Sequence, residues 1–230
     1  MWVFPAIAAA IASVFAGLLV RQFAGRRRSY QLLWAISLIM YAIASIAVAV
    51  GAQGTWSRGV YSVFWILGAV LNVPFLAAGE LQLLVRGKTF HLVLDLVLIF
   101  IVAYAVATVR GAAIDPAALA RALPSGKDVF GGGSAAHRLP QYVSYPSYFI
   151  LVFGALWSAW KMRGRPELKD RFTGTLWIAL GATVIAGFGS AFAATGQLAW
   201  FSISLAAGIA IMFLGFLRAS RQRVSVPSAG

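Results

Sequence analysis

Four polar side chains stand out because each lies inside an apolar stretch of the chain. Asn72 and Glu80 fall in the apolar run 59–85, and His91 and Asp95 fall in the run 89–109. Such groups can bind a cation, hold a proton or orient a small polar ligand. A charged Asp at the centre of a membrane helix costs about 2.5–3.5 kcal/mol, so intramembrane acids need a partner or a function. We therefore treat these four residues as candidates for ligand binding or for proton and ion coupling.

The spacing of the acids predicts that they lie at the same depth. Glu80 precedes Arg86 by six residues and Asp95 follows Lys88 by seven, which places both roughly 9–10 Å from the basic turn at a rise of 1.5 Å per residue. His91 and Asp95 are four residues apart and share one helix face. The short turn predicts antiparallel neighbours, which places the carboxylates at matching depth. If they face each other, one of them holds a proton at neutral pH, and His91 is the predicted modulator.

Three interpretations of the acids stay open. Each acid pairs with an Arg or Lys of the basic loops or hydrogen-bonds across helices; or the acids form a site for a cation, a proton or a polar substrate group; or they belong to an intramembrane hydrolase or metal enzyme. The chain has no Cys and two His, which excludes thiolate sites and leaves little for a histidine-rich metal centre. Gly-x-Ser-x-Gly, His-Glu-x-x-His and phosphate-loop motifs do not occur. We predict no catalytic residue, metal or cofactor.

Pro74 interrupts the third run close to Asn72. Proline has no N–H, which leaves the Val70 carbonyl without its helical donor and favours a kink. An amide beside such an interruption either lines a cavity or hydrogen-bonds a neighbouring helix.

The composition indicates an integral membrane protein. Hydrophobic residues make up 61% of the chain, charged residues 11%, and the mean hydropathy is +0.84. Soluble domains carry about 25% charged residues. The net charge of +13 does not indicate nucleic-acid binding, because Lys and Arg lie in short clusters between apolar runs. Membrane lipids are the expected partners.

Seven apolar runs are long enough to cross a bilayer. They lie at about 2–22, 31–50, 59–85, 89–109, 144–161, 173–194 and 199–217. Because the runs are continuously apolar, they predict helices and an all-α, single-domain bundle of seven transmembrane helices. Small residues at four-residue spacing predict close helix packing, with Ala182, Ala186, Gly187, Ser190 and Ala191 in the sixth run and Ser204 and Gly208 in the seventh.

The basic residues predict the orientation of the bundle. Fourteen of the 19 Lys and Arg residues follow the first, third, fifth and seventh runs. By the positive-inside rule, the N-terminus lies outside and the C-terminus in the cytoplasm, in an inner or plasma membrane. The first run has its positive charges after it, so we expect a retained span rather than a cleaved signal. Tryptophans at the run ends, Trp56 among them, are predicted belt anchors.

The connection 110–143 is the long outer loop in this topology. Asp115 and Pro116 predict a capped short helix, and the glycine-rich remainder predicts a flexible surface loop, with a lid as the alternative. Leu-Trp and Gln…Trp pairs occur at similar spacing in the second and sixth runs. They suggest a weak internal repeat, in which helices one to three correspond to helices five to seven.

Two functions remain open from the sequence. The first is binding or transport of a small molecule or ion through a cavity lined by the third and fourth helices. The second is a non-catalytic accessory subunit or scaffold of a membrane complex, with a membrane-protein partner. A rhodopsin-like photoreceptor shares the topology but requires a Lys in the last helix, and the run 199–217 has none.

Overall fold

The computed structural model describes residues 1–54 and 56–220; that part of the chain is 85% helical and contains no strands. The predicted all-helical class is therefore confirmed. The helices are α1 (Val3–Arg26), α2 (Ser29–Gly51), α3 (Arg58–Leu84), α4 (Lys88–Gly111), the short helices α5 (Pro116–Leu119), α6 (Gly126–Phe130) and α7 (Ala135–Tyr142), then α8 (Ser144–Met162), α9 (Lys169–Ala194) and α10 (Leu198–Ser220).

Six of these helices are long and apolar enough to cross a membrane: α1, α2, α3, α4, α9 and α10. The protein is thus suited to be a multi-pass membrane protein. Helix α8 matches the fifth predicted run in position, but its polar and aromatic ends lower its mean hydropathy, and it is not among the six. The seventh crossing stays a prediction. Arg221 and Arg223, which contribute to the predicted orientation, lie outside the described residues.

The long helices α1, α2, α3, α8, α9 and α10 form a closed ring. Helix α2 packs between α1 and α3, α8 packs between α3 and α9, and α10 packs between α9 and α1. Phe15 of α1 contacts the rings of Phe213 and Phe216 on α10, which closes the ring. Helix α4 lies outside it, against α3 and the short helix α7, with Leu98, Ala105 and Val109 as its buried residues.

Glycines set the closest approach, between α9 and α10. A Cβ on Gly181 would lie 2.5 Å from the Gly208 carbonyl oxygen, and one on Gly174 would lie 2.5 Å from that of Gly215. The prediction for Gly208 is confirmed. The predicted face through Gly187 is wrong, because a Cβ there would meet nothing within 4 Å. The glycines in contact are seven residues apart on each helix, Gly174 and Gly181 on α9 and Gly208 and Gly215 on α10, and not four residues apart as predicted.

Two of the long helices contain a π-helical segment. Phe64–Leu71 widens α3 just before Pro74, and Val184–Gly189 widens α9. Such segments leave carbonyl groups out of the regular helical pattern and are frequent at functional sites.

The connection after α4 is a folded cap over one end of the ring. Asp115 caps α5 by accepting from the Ala117 N–H at 2.9 Å, as predicted. The segment expected to be a flexible, glycine-rich loop contains two further short helices, α6 and α7, which are capped by Ser125 and Ser134. Buried cap residues are Ala118, Leu123, Val129, Phe130, Ala136 and Leu139. The segment folds because these apolar side chains cover the end of the bundle.

Aromatic donors hold this cap in place. The indole N–H of Trp56 donates to the Ala122 carbonyl at 3.0 Å, and that of Trp65 donates to the Ala136 carbonyl at 2.9 Å. Trp56 is 8% exposed, so its predicted role as a belt anchor is wrong. Gly126 lies so close to the Trp65 ring that no side chain fits there. We call this the cap end.

The opposite end collects the basic turns, and we call it the basic end. It comprises the α1–α2, α3–α4 and α8–α9 turns and the end of α10, where Arg218 pairs with Asp170 at 3.4 Å. Gln31 of α2 donates to Gln22 of α1 at 3.2 Å near the same end.

Candidate functional site

Glu80 lies on the face of α3 that packs against α8. Its side chain is 6% exposed, and the Ser158 hydroxyl donates to its Oε1 at 3.4 Å. Gly154, one turn before Ser158, provides the space: a Cβ there would lie 2.7 Å from Glu80 Cγ. Two small residues four apart on α8 therefore form the notch that holds this carboxyl group.

No basic residue neutralises Glu80 in the described part of the chain. The ion pairs there join Arg121 to Asp128 and Arg218 to Asp170. The Ser158 contact is longer than the 2.5–3.0 Å typical of O–H···O hydrogen bonds, so it compensates weakly for burial. Among the described residues, Glu80 is the one acidic or basic side chain that is buried. This combination is costly, because a buried charge needs pairing.

Asp95 has a different partner from the one expected. The Gln82 amide donates to Asp95 Oδ1 at 2.8 Å and joins α3 to α4. Gln82 is 5% exposed, and its own Oε1 is buried without a hydrogen bond within the described residues. Asp95 itself is half-buried.

The two acids do not face each other. Glu80 and Gln82 are two residues apart, so their side chains leave α3 about 200° apart at 3.6 residues per turn. Glu80 consequently points to α8, while Asp95 reaches α3 from the α4 side. The condition for a shared proton is therefore not met, because a helix distant in the sequence occupies the Glu80 face.

His91 stabilises the turn between α3 and α4. Its Nε2–H donates to the carbonyl of Val85, 2.9 Å away, immediately after α3 ends at Leu84. The imidazole thus satisfies a carbonyl that has no helical donor. It shares a helix with Asp95, as predicted, but its hydrogen bond goes to the backbone.

Asn72 joins α3 to α2. Its amide N–H donates to the Ser37 carbonyl at 2.8 Å, and the Ser37 hydroxyl donates to the Asn72 carbonyl at 2.8 Å. Asn72 is 6% exposed and Ser37 is fully buried. Of the two alternatives for this amide, the hydrogen bond to a neighbouring helix is the one present.

Ser144 compensates for the interruption at Pro74. Its hydroxyl lies 2.9 Å from the Val70 carbonyl, the group that Pro74 was predicted to leave free, and 2.7 Å from the Ala69 carbonyl. The first residue of α8 therefore supports the irregular turn of α3. Nothing in the sequence around Ser144 marks it for this role.

The roles of Ser37, Ser144, Ser158 and Gln82 could not be predicted from the sequence, for one common reason. A single serine or glutamine inside an apolar run is ordinary in membrane helices, and its partner is a residue on another helix. The pairing of residue 80 with residue 158 spans 78 positions. A pattern within one helix does not contain that information.

The chemistry available at Glu80 is that of one carboxyl group beside one hydroxyl. Among residues 1–54 and 56–220, no three His, Cys, Asp or Glu side chains come together as metal ligands. A proton, or a small cation held by the carboxylate and hydroxyl oxygens, fits this donor set. No protein-family model, curated protein or solved structure matches this chain.

Proposed function

We propose that the protein binds or transports a proton or small cation in the cytoplasmic (inner or plasma) membrane, with Glu80 as the group that binds it. One observation carries the proposal: Glu80 is 6% exposed inside an apolar helix, and its hydrogen-bond partner is a neutral serine. A carboxyl group in that position is neutral when protonated, or it holds a cation, and either event removes the cost of a buried charge.

The packing around Glu80 favours a small ligand. The Glu80 side chain fills the space that Gly154 provides, since a Cβ on Gly154 would lie 2.7 Å from Glu80 Cγ, and this close packing argues against a bulky organic molecule at this point. The proposed site therefore lies between α3 and α8, rather than between α3 and α4 as the sequence suggested. Asp95, His91 and Asn72 then act on the site through the position of α3, which each of them joins to another segment.

The test is proton flux in proteoliposomes that contain a pH-sensitive dye, driven by a potassium diffusion potential. Glu80→Gln keeps the size of the side chain and removes the acid, so we expect flux to fall to that of empty liposomes. Asp95→Asn is the matched control. It removes one acid from the other side of α3 and keeps an acceptor for Gln82, so we expect flux to be retained.

An infrared titration separates binding from transport. A protonated carboxyl group and a carboxylate absorb at different infrared frequencies. We expect one band of a protonated carboxyl group in the wild type that is absent from Glu80→Gln. Equal spectra and equal flux in the two proteins would contradict the proposal.

The alternative function is an accessory subunit or scaffold, and the exposed face of α4 favours it. Leu92, Leu96, Ile99 and Phe100 are each at least 57% exposed, on a helix that lies outside the ring. A scaffold predicts that Glu80→Gln alters stability alone, and that alanines at Ile99 and Phe100 reduce the mass of the particle extracted in mild detergent.

We further propose seven crossings, with α8 as the fifth and the basic end in the cytoplasm. Support comes from the position of the basic turns at one end, and from Phe149, Phe153 and Trp157, which are 48–65% exposed along α8. Exposed aromatic and apolar side chains on such a helix suit contact with lipid.

A further inference from the structure

A cavity of about 410 Å³ opens between α1 and α10 at the basic end. Its lining on α1 begins at Leu18, three residues after Phe15, whose ring contacts Phe213 and Phe216 of α10. Residues of both helices line it, including Leu18, Arg21, Gln22, Gly25, Arg26 and Phe216.

Two arginines give the cavity its charge. Arg21 and Arg26 are exposed, and neither takes part in the ion pairs of the described chain. The whole sequence has six acidic residues for 19 basic ones. Two acids lie near this end, Glu167 before α9 and Asp170 in the first turn of α9, and Asp170 already pairs with Arg218. The ion pairs of the described residues thus leave Arg21 and Arg26 available to an anion from outside the protein.

The cavity is amphipathic. Leu18 and Phe216 give it an apolar wall, and Gln22 adds an amide group beside the arginines. A Cβ on Gly25 would meet no atom of the described residues within 4 Å, so they leave this part of the cavity open. A free phosphate would use the arginines and leave the apolar wall in contact with water. A phospholipid would use both.

We propose that this cavity binds an anionic phospholipid of the leaflet at the basic end, with its phosphate at Arg21 and Arg26 and an acyl chain along Leu18 and Phe216. Basic pockets between membrane helices suit such headgroups, because each arginine near the surface attracts the anion. The inference rests on membrane insertion and is independent of Glu80, so the two can fail separately.

The first test compares two double variants of equal charge. Arg21→Gln with Arg26→Gln removes both arginines of the cavity. Arg27→Gln with Arg28→Gln removes two arginines of the adjoining turn that do not line it. Purified proteins are titrated with phosphatidylglycerol, phosphatidylcholine or inorganic phosphate, and bound lipid is counted by native mass spectrometry alongside the melting temperature.

We expect phosphatidylglycerol to bind the wild type and the Arg27/Arg28 variant and to raise their melting temperatures. Its affinity for the Arg21/Arg26 variant should be at least about tenfold weaker. Phosphatidylcholine and inorganic phosphate should leave the melting temperatures unchanged.

The second test fills the cavity. Gly25→Leu places a side chain in open space within it, whereas Gly17→Leu places one in open space on the same helix at a position that does not line it. We expect the first to weaken phosphatidylglycerol binding and the second to leave it unchanged.

Three results would overturn the proposal. Equal losses in both double variants would indicate attraction by surface charge in general. Stabilisation by inorganic phosphate equal to that by phosphatidylglycerol would indicate a soluble anion. Undiminished lipid binding in Gly25→Leu would place the lipid elsewhere.

Discussion

Single hydroxyl and amide groups join the helices of this protein. Ser144 meets two carbonyls of the π-helical segment of α3, and Ser37 and Asn72 exchange hydrogen bonds between α2 and α3. Tyr41 donates to the Leu205 carbonyl of α10 at 2.9 Å. In an apolar setting each carbonyl outside the helical pattern needs such a donor. Glu80 differs from these residues, because its partner offers little compensation.

Ser144→Ala should destabilise the protein by about 1 kcal/mol, since it removes the hydroxyl that supports the Ala69 and Val70 carbonyls. Ser147→Ala is the matched control. Its hydroxyl bonds Val143, four residues earlier in the chain, and links no second long helix. The measurement is unfolding in mixed micelles of lipid and denaturing detergent. Equal stability of the two variants would contradict the role of Ser144.

The depth of the polar residues was predictable from the sequence, and their partners were not. Counting from Arg86 and Lys88 places Glu80 and Asp95 near the basic end, and Pro74 identifies the Val70 carbonyl as free. Which residue meets each group depends on the order of helices around the ring. Glu80 faces α8 for that reason, although α4 follows α3 in the chain.

At the scale of the helices, spacing of small residues determines how closely two helices approach. Gly174 and Gly181 of α9 lie against the backbone of α10, where lipid provides no hydrophobic drive for association. Apolar length predicted every long helix to within a few residues. The end of α1 and the start of α9 each extend four residues beyond the predicted runs; in α9 three of these four residues are charged.

Gly181→Ala should destabilise the protein by about 1–3 kcal/mol, because its Cβ would collide with the Gly208 carbonyl and force α9 and α10 apart. Gly187→Ala is made on the same helix, where a Cβ meets no neighbour. We expect it to be neutral or slightly stabilising, since alanine favours a helix over glycine. The comparison is made by thermal unfolding in one detergent. Equal losses in both variants would contradict the glycine contact.

The cap is the element that the sequence predicted least well. Its glycines suggested flexibility, but Gly126 is present because the Trp65 ring lies against it. The caps Ser125 and Ser134 and the apolar residues between them were visible signals of short helices. The glycine content of the segment nevertheless predicted a loop.

At the scale of the whole molecule, the two ends differ in chemistry. One end is covered by short helices and aromatic donors, and the other collects basic turns and the cavity between α1 and α10. Composition alone predicted the class of protein, because 61% hydrophobic residues exceed what a soluble surface allows. The closed ring with α4 outside was not predictable, since it depends on contacts between helices distant in the sequence.

The absence of native cysteine allows a direct test of orientation. Gly133→Cys lies in the cap and Gly87→Cys in the α3–α4 turn, and a Cβ fits at both positions. With an impermeant maleimide, we expect labelling of Gly133→Cys in intact cells, and of Gly87→Cys only after permeabilisation. The opposite pattern would reverse the proposed orientation, and labelling of both in intact cells would contradict the number of crossings between them.

The cap has a kinetic consequence for the proposed function of Glu80. Glu80 lies roughly 9 Å along α3 from Arg86, at 1.5 Å per residue, far from the hydrogen bonds of Trp56 and Trp65 to the cap. We therefore expect exchange with the near compartment to need no rearrangement of the cap, and release on the far side to need the cap, which these two indole hydrogen bonds hold, to open. We expect isotope exchange on one side of the bilayer to be faster than net translocation across it. Locking the cap should slow net translocation and leave isotope exchange unchanged.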